Sequence, residues 1–117
     1  MESLKKIEEF RRCYRTGKSY ANRCLVLYVC AGPERTGHLE QQNRLGISVS
    51  KKVGNSVIRH KIRRRIKEVY RLHESMFNSG LDMAVVARSA AKDAGYQEIE
   101  SAFMSLSKKA GILRESV

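Results

Sequence analysis

The segment KKVGNSVIRHKIRRRIKEVYR, Lys51 to Arg71, carries nine Lys or Arg and a single acid, Glu68. Side chains of this kind at this density are suited to neutralising phosphate oxygens, Arg as a bidentate fork and Lys as a point charge. The segment supplies a net +8 of the chain's +11. The charge is therefore a local surface, and with an isoelectric point of about 10.0 it implies a polyanionic partner, usually nucleic acid. Gly54-Asn55 leads from an extended run into a helix. Glycine permits sharp backbone angles at such a corner. The free amides of a helix start, flanked here by Lys51 and Lys52, suit a phosphate. The glycine-rich spacing of a nucleotide-binding loop is absent.

The helix positions this chemistry. At about 100° per residue with Arg59 as zero, Arg63, Lys67, His60, Arg71 and Arg64 fall between about 40° and 140°. Leu72, Ile58, Met76, Val69, Ile62 and Ile66 fall between about 220° and 340°. One face docks on a sheet and the other is a continuous cationic stripe. Like charges at Arg59/Arg63 and Arg63/Lys67 repel, whereas an ordinary solvated face interleaves acids with bases. A partner that supplies phosphates removes that repulsion. Arg65 lies inside the apolar arc and Lys61 on its border. Either their stems cover apolar surface while the charges reach water, or both point along the sheet edge towards a groove.

Other chemistries have little material. A protein nuclease needs carboxylates or a histidine brought together, and Asp82 and Asp93 are the only aspartates. His38, His60 and His73 show no metal-ligand spacing with each other or with a cysteine. Cys13, Cys24 and Cys30 are odd in number, match no CxxC pattern, and read as buried reduced thiols. No zinc site is expected.

The 117 residues suit a single domain, 1–117. No run of 18 apolar residues exists, so no membrane span is expected. The N-terminus lacks the apolar stretch of a signal peptide, which places the protein in the cytoplasm. Leu4, Ile7, Phe10 and Tyr14 predict a first amphipathic helix with Ser3 as a possible cap and Gly17 as its stop. KSYANR reads as a short extended link. Cys24–Cys30 reads as a strand, residues 31–43 as a hairpin loop, and RLGISVSKK as a second strand paired antiparallel with the first. The basic helix is capped by Asn55 or Ser56 and runs to about Phe77, ahead of Asn78-Ser79-Gly80. LDMAVVAR reads as a buried strand and KDAG as a loop. A last helix puts Tyr96, Ile99, Phe103, Leu106 and Ala110 on one face and stops at Gly111. The fold class is α+β, an α/β sandwich of a small sheet and helices. Its order is α-β-β-α-β-α, with room for an extra short strand before the first long one.

SVSKKVGNSVIRHKIRRRIKE closely resembles the signature of the bacterial ribonuclease P protein subunit family, approximately K-[KR]-x-G-x-A-V-x-R-N-x-x-[KR]-R after a serine. Ser50, Lys51, Lys52, Gly54, Val57, Arg59, Arg63 and Arg64 sit on its positions. His60 replaces the usual Asn, Lys61 stands where Arg is common, and Ser56 replaces Ala. His60 retains hydrogen-bonding capacity towards RNA. EEFRRCYRTGKSYANRCLVLYV resembles the family's N-terminal pattern, LDMAVVAR its late strand, and the final amphipathic helix is in place. The resemblance covers nearly the whole chain.

The resemblance implies a small mixed sheet with a left-handed βαβ crossover, against the usual right-handed rule. It implies a subunit of ribonuclease P that binds a large catalytic RNA and helps remove the 5′ leader from precursor tRNA. The RNA carries the hydrolytic chemistry with magnesium ions. The resemblance implies that the protein helps bind substrate and metal, with no catalytic side chain of its own and magnesium held mainly through RNA; the protein alone is expected to be a monomer. Lys51, Lys52, Asn55, Arg59, His60, Lys61, Arg63, Arg64, Lys67 and Arg71 would face the catalytic RNA. A cleft floored by the sheet and walled by the first helix would take the single-stranded leader. By position Phe10, Tyr14 and Tyr28 match its aromatics, with Asn22, Arg23, Arg65 and Arg88 beside them. Periodicity alone places Phe10 and Tyr14 in the core; the resemblance implies exposed ring edges on which bases stack.

Three rivals remain at this stage. A protein nuclease would cut precursor tRNA without an RNA subunit. A structural RNA-binding protein, such as a ribosomal component, fits the composition equally well, and only the signature and aromatic pattern argue against it. A DNA-binding module should carry Asn or Gln for base edges on its recognition helix, and duplex DNA would compete for it.

Overall fold

The computed structural model of the chain describes residues 2–3, 7–31 and 43–114. Leu4 and most of the loop expected at 31–43 lie outside them. In chain order the elements are β1 (Glu2–Ser3), α1 (Ile7–Thr16), β2 (Lys18–Ala21), β3 (Leu25–Ala31), β4 (Arg44–Ser48), α2 (Ser56–His73), β5 (Leu81–Ala87) and α3 (Tyr96–Lys109), with 3-10 turns at Glu74–Met76 and Ser89–Asp93. The architecture is the expected mixed α+β sandwich. KSYANR contributes β2, the extra short strand, and Ser3 lies in β1 opposite Leu45 instead of capping α1. The expected KDAG loop overlaps the second 3-10 turn.

The sheet order is β1-β4-β5-β3-β2. The expected hairpin of β3 with β4 does not form. β5 lies between them, antiparallel to β3 (Tyr28 opposite Ala84) and parallel to β4 (Gly46 opposite Ala84). The physical reason is the composition of β5. Met83, Ala84, Val85 and Ala87 are all buried, so both faces of the strand need cover and the sheet centre provides it. β4–α2–β5 is thus a crossover unit joining parallel neighbours.

The two faces of the sheet differ. One carries Leu25, Leu27, Leu45, Met83 and Val85, packed against Ile62, Ile66 and Val69 of α2 and Ile99, Phe103 and Leu106 of α3. At its lower end the rings of Tyr70 and Phe77 are 5.0 Å apart, and those of Phe77 and Phe103 5.9 Å. Buried Asn43 ties this corner together, donating to Tyr70 Oη at 3.1 Å and accepting from Leu81 N at 2.9 Å. The helix does not run to Phe77 as expected. It ends at His73, and the tighter 3-10 turn lets Phe77 swing inward, with Gly80 at φ 75° completing the stop.

The other face carries α1. Cys13 packs there on Cys30 and Ala84, with Phe10 and Tyr28 at the margin. At the end of α1 the chain passes close to β3. A Cβ on Gly17 would sit 2.6 Å from Cys13 O and 2.7 Å from Val29 O, so only glycine fits without displacing backbone. Among the described residues no helix is long and apolar enough to cross a membrane.

Candidate nucleic-acid interface

The turn from β4 into α2 is built from buried Val49 and Val53 on either side of exposed Lys51 and Lys52. Asn55 is the cap, its Oδ1 accepting from Ile58 N at 3.0 Å. Gly54 has a different purpose from the one expected. It does not adopt a positive φ; a Cβ there would lie 2.8 Å from Ile58 Cγ2. Glycine is needed for room beside Ile58.

Along α2, His60, Lys61, Arg64, Lys67 and Arg71 are exposed and Arg59 and Arg63 are half-buried. Among the described residues, Lys51, Lys52, Arg59, Lys61, Arg63, Arg64 and Lys67 form no ion pair. Arg59 Nε is buried without a hydrogen-bond partner, leaving this cation donor capacity for an acceptor. Arg71 is different. It holds Glu68 through Nε–Oε2 at 3.0 Å, and that hydrogen bond keeps the Glu68 carboxyl below its ordinary range.

The buried face of α2 is rotated from the expected one. Tyr70, at about 20° on the cationic side by helical spacing, is fully buried, while Leu72 and Met76 are 54% and 46% exposed. Tyr70 is drawn in by Phe77, Phe103 and Asn43. Arg65 also finds an internal partner: its Nη1 donates to Ala94 O at 2.8 Å. Its stem covers apolar surface, as one sequence reading allows. Its head lies with Arg64, Glu68 and Tyr96 around a cavity of about 310 Å³, and no described contact links it to the aromatic cleft.

That cleft forms on the opposite face of the sheet. The Phe10 and Tyr14 rings are 6.2 Å apart, and those of Tyr14 and Tyr28 stand edge to face at 4.7 Å. Tyr14 is 40% exposed, and Phe10 and Tyr28 are half-buried. Periodicity alone would have sunk Phe10 and Tyr14 in a core. The rings instead occupy the rim of α1, where a thin apolar contact leaves their edges open. Burial is the main cause that pushes the Tyr14 phenol above its ordinary range, partly opposed by its hydrogen bond with Ser48.

The angle of α1 is set by charge, which sequence reasoning missed. Asp82 is completely buried. Arg12 Nη1 donates to its Oδ2 at 3.0 Å, and Arg44 Nε and Nη2 donate to its two oxygens at 2.9 and 2.6 Å. Arg44 also pairs with Glu9 at 2.7 Å. The one signal available was an acid inside the otherwise apolar run LDMAVVA. A buried carboxylate in such a run must find cations.

Asn22, Arg23 and Arg88 gather elsewhere. Asn22 Oδ1 accepts from Cys24 N and Leu25 N at 3.2 and 3.0 Å, and its Nδ2 donates to Ala102 O at 3.0 Å. Arg88 Nη1 donates to Asn22 O at 3.0 Å. Exposed Arg23 lines a cavity of about 440 Å³ beside α3 with Gln97, Glu98 and Ser101. These three residues stand together, but no described contact joins them to the three rings. Because β4 and β5 are parallel, Lys51, Lys52, Asn55 and Arg88 all leave the sheet from the same end.

Magnesium prefers several oxygen ligands, typically carboxylates and waters. Among the described residues no three His, Cys, Asp or Glu side chains converge. Asp82, Glu9 and Glu68 are each already engaged by arginine. These donor sets do not fit a magnesium ion held by the protein alone.

With this geometry in hand, the likeness to known proteins is informative. The family model described as Ribonuclease P matches residues 1–111. The Ribonuclease P protein component of Lachnoclostridium phytofermentans is 52% identical over 115 residues, covering 98% of this chain and 94% of the relative. That of Clostridium botulinum strain Langeland is 50% identical, covering 93% and 94%. Among solved structures, the RNase P protein of Staphylococcus aureus superposes with a TM-score of 0.85 at 38% identity, covering 97% of this chain and 99% of that one. The Thermotoga maritima RNase P protein, at 23% identity and a TM-score of 0.79, shares the fold. A family match over residues 1–111, with relatives about half identical over nearly the full length, shows that the chain belongs to the ribonuclease P protein component family.

Proposed function

We propose that the chain joins the catalytic RNA of ribonuclease P to its precursor tRNA substrate. The cationic face of α2 and the Lys51–Lys52 turn take phosphates of the catalytic RNA. The Phe10–Tyr14–Tyr28 cleft takes the single-stranded 5′ leader by stacking, which every base permits. The observation that carries this reading is the run Arg59, Lys61, Arg63, Arg64 and Lys67, which among the described residues forms no ion pair, on a different side of the molecule from the half-open rings. Such cations bind RNA phosphates by releasing counterions. We assign the magnesium ions and the hydrolytic centre to the RNA: Asp82, Glu9 and Glu68 are engaged by arginine, and among the described residues no three His, Cys, Asp or Glu side chains converge. The free protein would be a monomer working in the cytoplasm.

The test is reconstitution at low magnesium with a bacterial ribonuclease P RNA, following 5′ cleavage of precursor tRNA. Cleavage only when both are present supports the proposal. Protein that binds the RNA but adds nothing to cleavage would leave a general RNA-binding role in its place. Cleavage by the protein alone would move the chemistry into the polypeptide.

A further inference from the structure

Beneath the ring pair lies a second pair of reactive groups that the proposed function does not use. Cys13 Sγ and Cys30 Sγ are 3.2 Å apart, on α1 and β3 respectively. Cys13 is fully buried and Cys30 is 9% exposed. Cys30 differs from Cys13 in its access. It lines an open cavity of about 420 Å³ together with Arg12, Thr16, Lys18, Val29 and Leu81. Arg12 Nη1 also donates to Cys30 Sγ at 3.4 Å. Two cations thus frame the approach to one sulfur, and a second sulfur waits directly behind it.

We propose that Cys13 and Cys30 are a redox-active dithiol, oxidised to an intramolecular disulfide by a small anionic disulfide that enters the cavity over Cys30. The step is ordinary thiol–disulfide exchange. Cys30 sulfur attacks one sulfur of the reagent RSSR, an S–S bond forms to Cys30, and RS⁻ departs with its electron pair. Cys13 sulfur then attacks Cys30 Sγ, closes the internal bond and expels the second RS⁻. Two thiol protons pass to the two leaving thiolates, and two electrons pass from the protein to the reagent, giving two RSH.

The order follows from the surroundings. Burial first, and then the Cys30 thiol beside it, push the Cys13 thiol up to about 12, which keeps Cys13 inert while Cys30 is free. Capping Cys30 removes only the lesser influence and burial persists, so closure rests on the 3.2 Å approach of the two sulfurs. Closure ties α1 to β3 immediately beneath Tyr14 and Tyr28. Cys24, half-buried and packed against the opposite core, is the internal control.

The test uses the full chain and oxidised glutathione, with non-reducing peptide mapping by mass spectrometry over time. The expected product is a Cys13–Cys30 linked peptide that forms ahead of any modification of Cys24. Hydrogen exchange in α1 should slow after oxidation. In Cys13→Ser the glutathione should stay on Cys30. Lys18→Gln, a surface change that leaves both sulfurs in place, should slow the reaction several-fold with oxidised glutathione but not with the neutral 2-hydroxyethyl disulfide. Modification of Cys24 first, a stable glutathione adduct on Cys30 of the natural chain, or a Lys18→Gln chain whose rate relative to the natural chain is the same with both reagents would overturn the proposal. None of these readouts depends on RNA, so their failure is distinct from failure of the proposed function.

Discussion

The two faces of the sheet are held by different forces. Under α2 and α3 the contact is dry and aromatic, with Tyr70, Phe77 and Phe103 fully buried among aliphatic side chains. Under α1 the apolar contact among the described residues is Cys13, Cys30 and Ala84 with Phe10 and Tyr28 packed against them, and Glu9, Arg12 and Arg44 gather around Asp82. The thick side supplies stability. The thin side leaves rings half open and uses charge to aim a short helix. On this side ion pairs do much of the fixing that packing does on the other.

The largest effects should come from attacking what each side depends on. Phe103→Ala should cost about 3–5 kcal/mol, the usual loss for truncating a buried aromatic, read by urea denaturation. Tyr14→Ala should leave the midpoint nearly unchanged. A comparable loss at Tyr14 would break the contrast between the faces. Asp82→Ala leaves Arg44 and Arg12 without their shared buried partner. Removing one member of such a group costs about 3–5 kcal/mol, and here the loss should concentrate in α1 when hydrogen exchange is followed by residue. Uniform loosening of α2 and α3 would show that the ion network serves the whole fold.

Smaller effects sharpen the division of labour. Tyr28→Ala should weaken leader-bearing precursor by about 1–3 kcal/mol, the value of one stacked base, with mature tRNA unaffected in the same binding assay. Equal losses for both would remove the cleft from leader recognition. Arg64→Ala should lower the salt slope of binding to the catalytic RNA by about 1, as expected for one lost phosphate contact, with stability unchanged. Asn55→Ala should cost about 1 kcal/mol, typical of a lost helix cap, visible in the thermal melt.

Much of this was legible in the chain itself. The cationic stripe, the Asn55 cap, the last strand and the last helix follow from local spacing and local hydrogen bonding, which travel with the sequence. The strand order was not legible. A pairing rule that joins consecutive strands puts β3 beside β4, and only the need of β5 for cover on both faces overrides it. Arg65 likewise reads as one more cation, and its bond to Ala94 O depends on a turn that comes nearly thirty residues later.

The sequence by itself determined that this protein carries one heavily basic helix, because charge and period are properties of neighbours in the chain. Tertiary structure decided which cations remain available. Arg12 and Arg44 are consumed by Asp82 from a distant strand, Arg71 by Glu68, and Arg65 by a backbone carbonyl. Tertiary structure also decided that three aromatics at helical spacing and on a strand form an open rim and not a core. Both outcomes depend on which surfaces meet, and that is set by burial summed over the whole molecule.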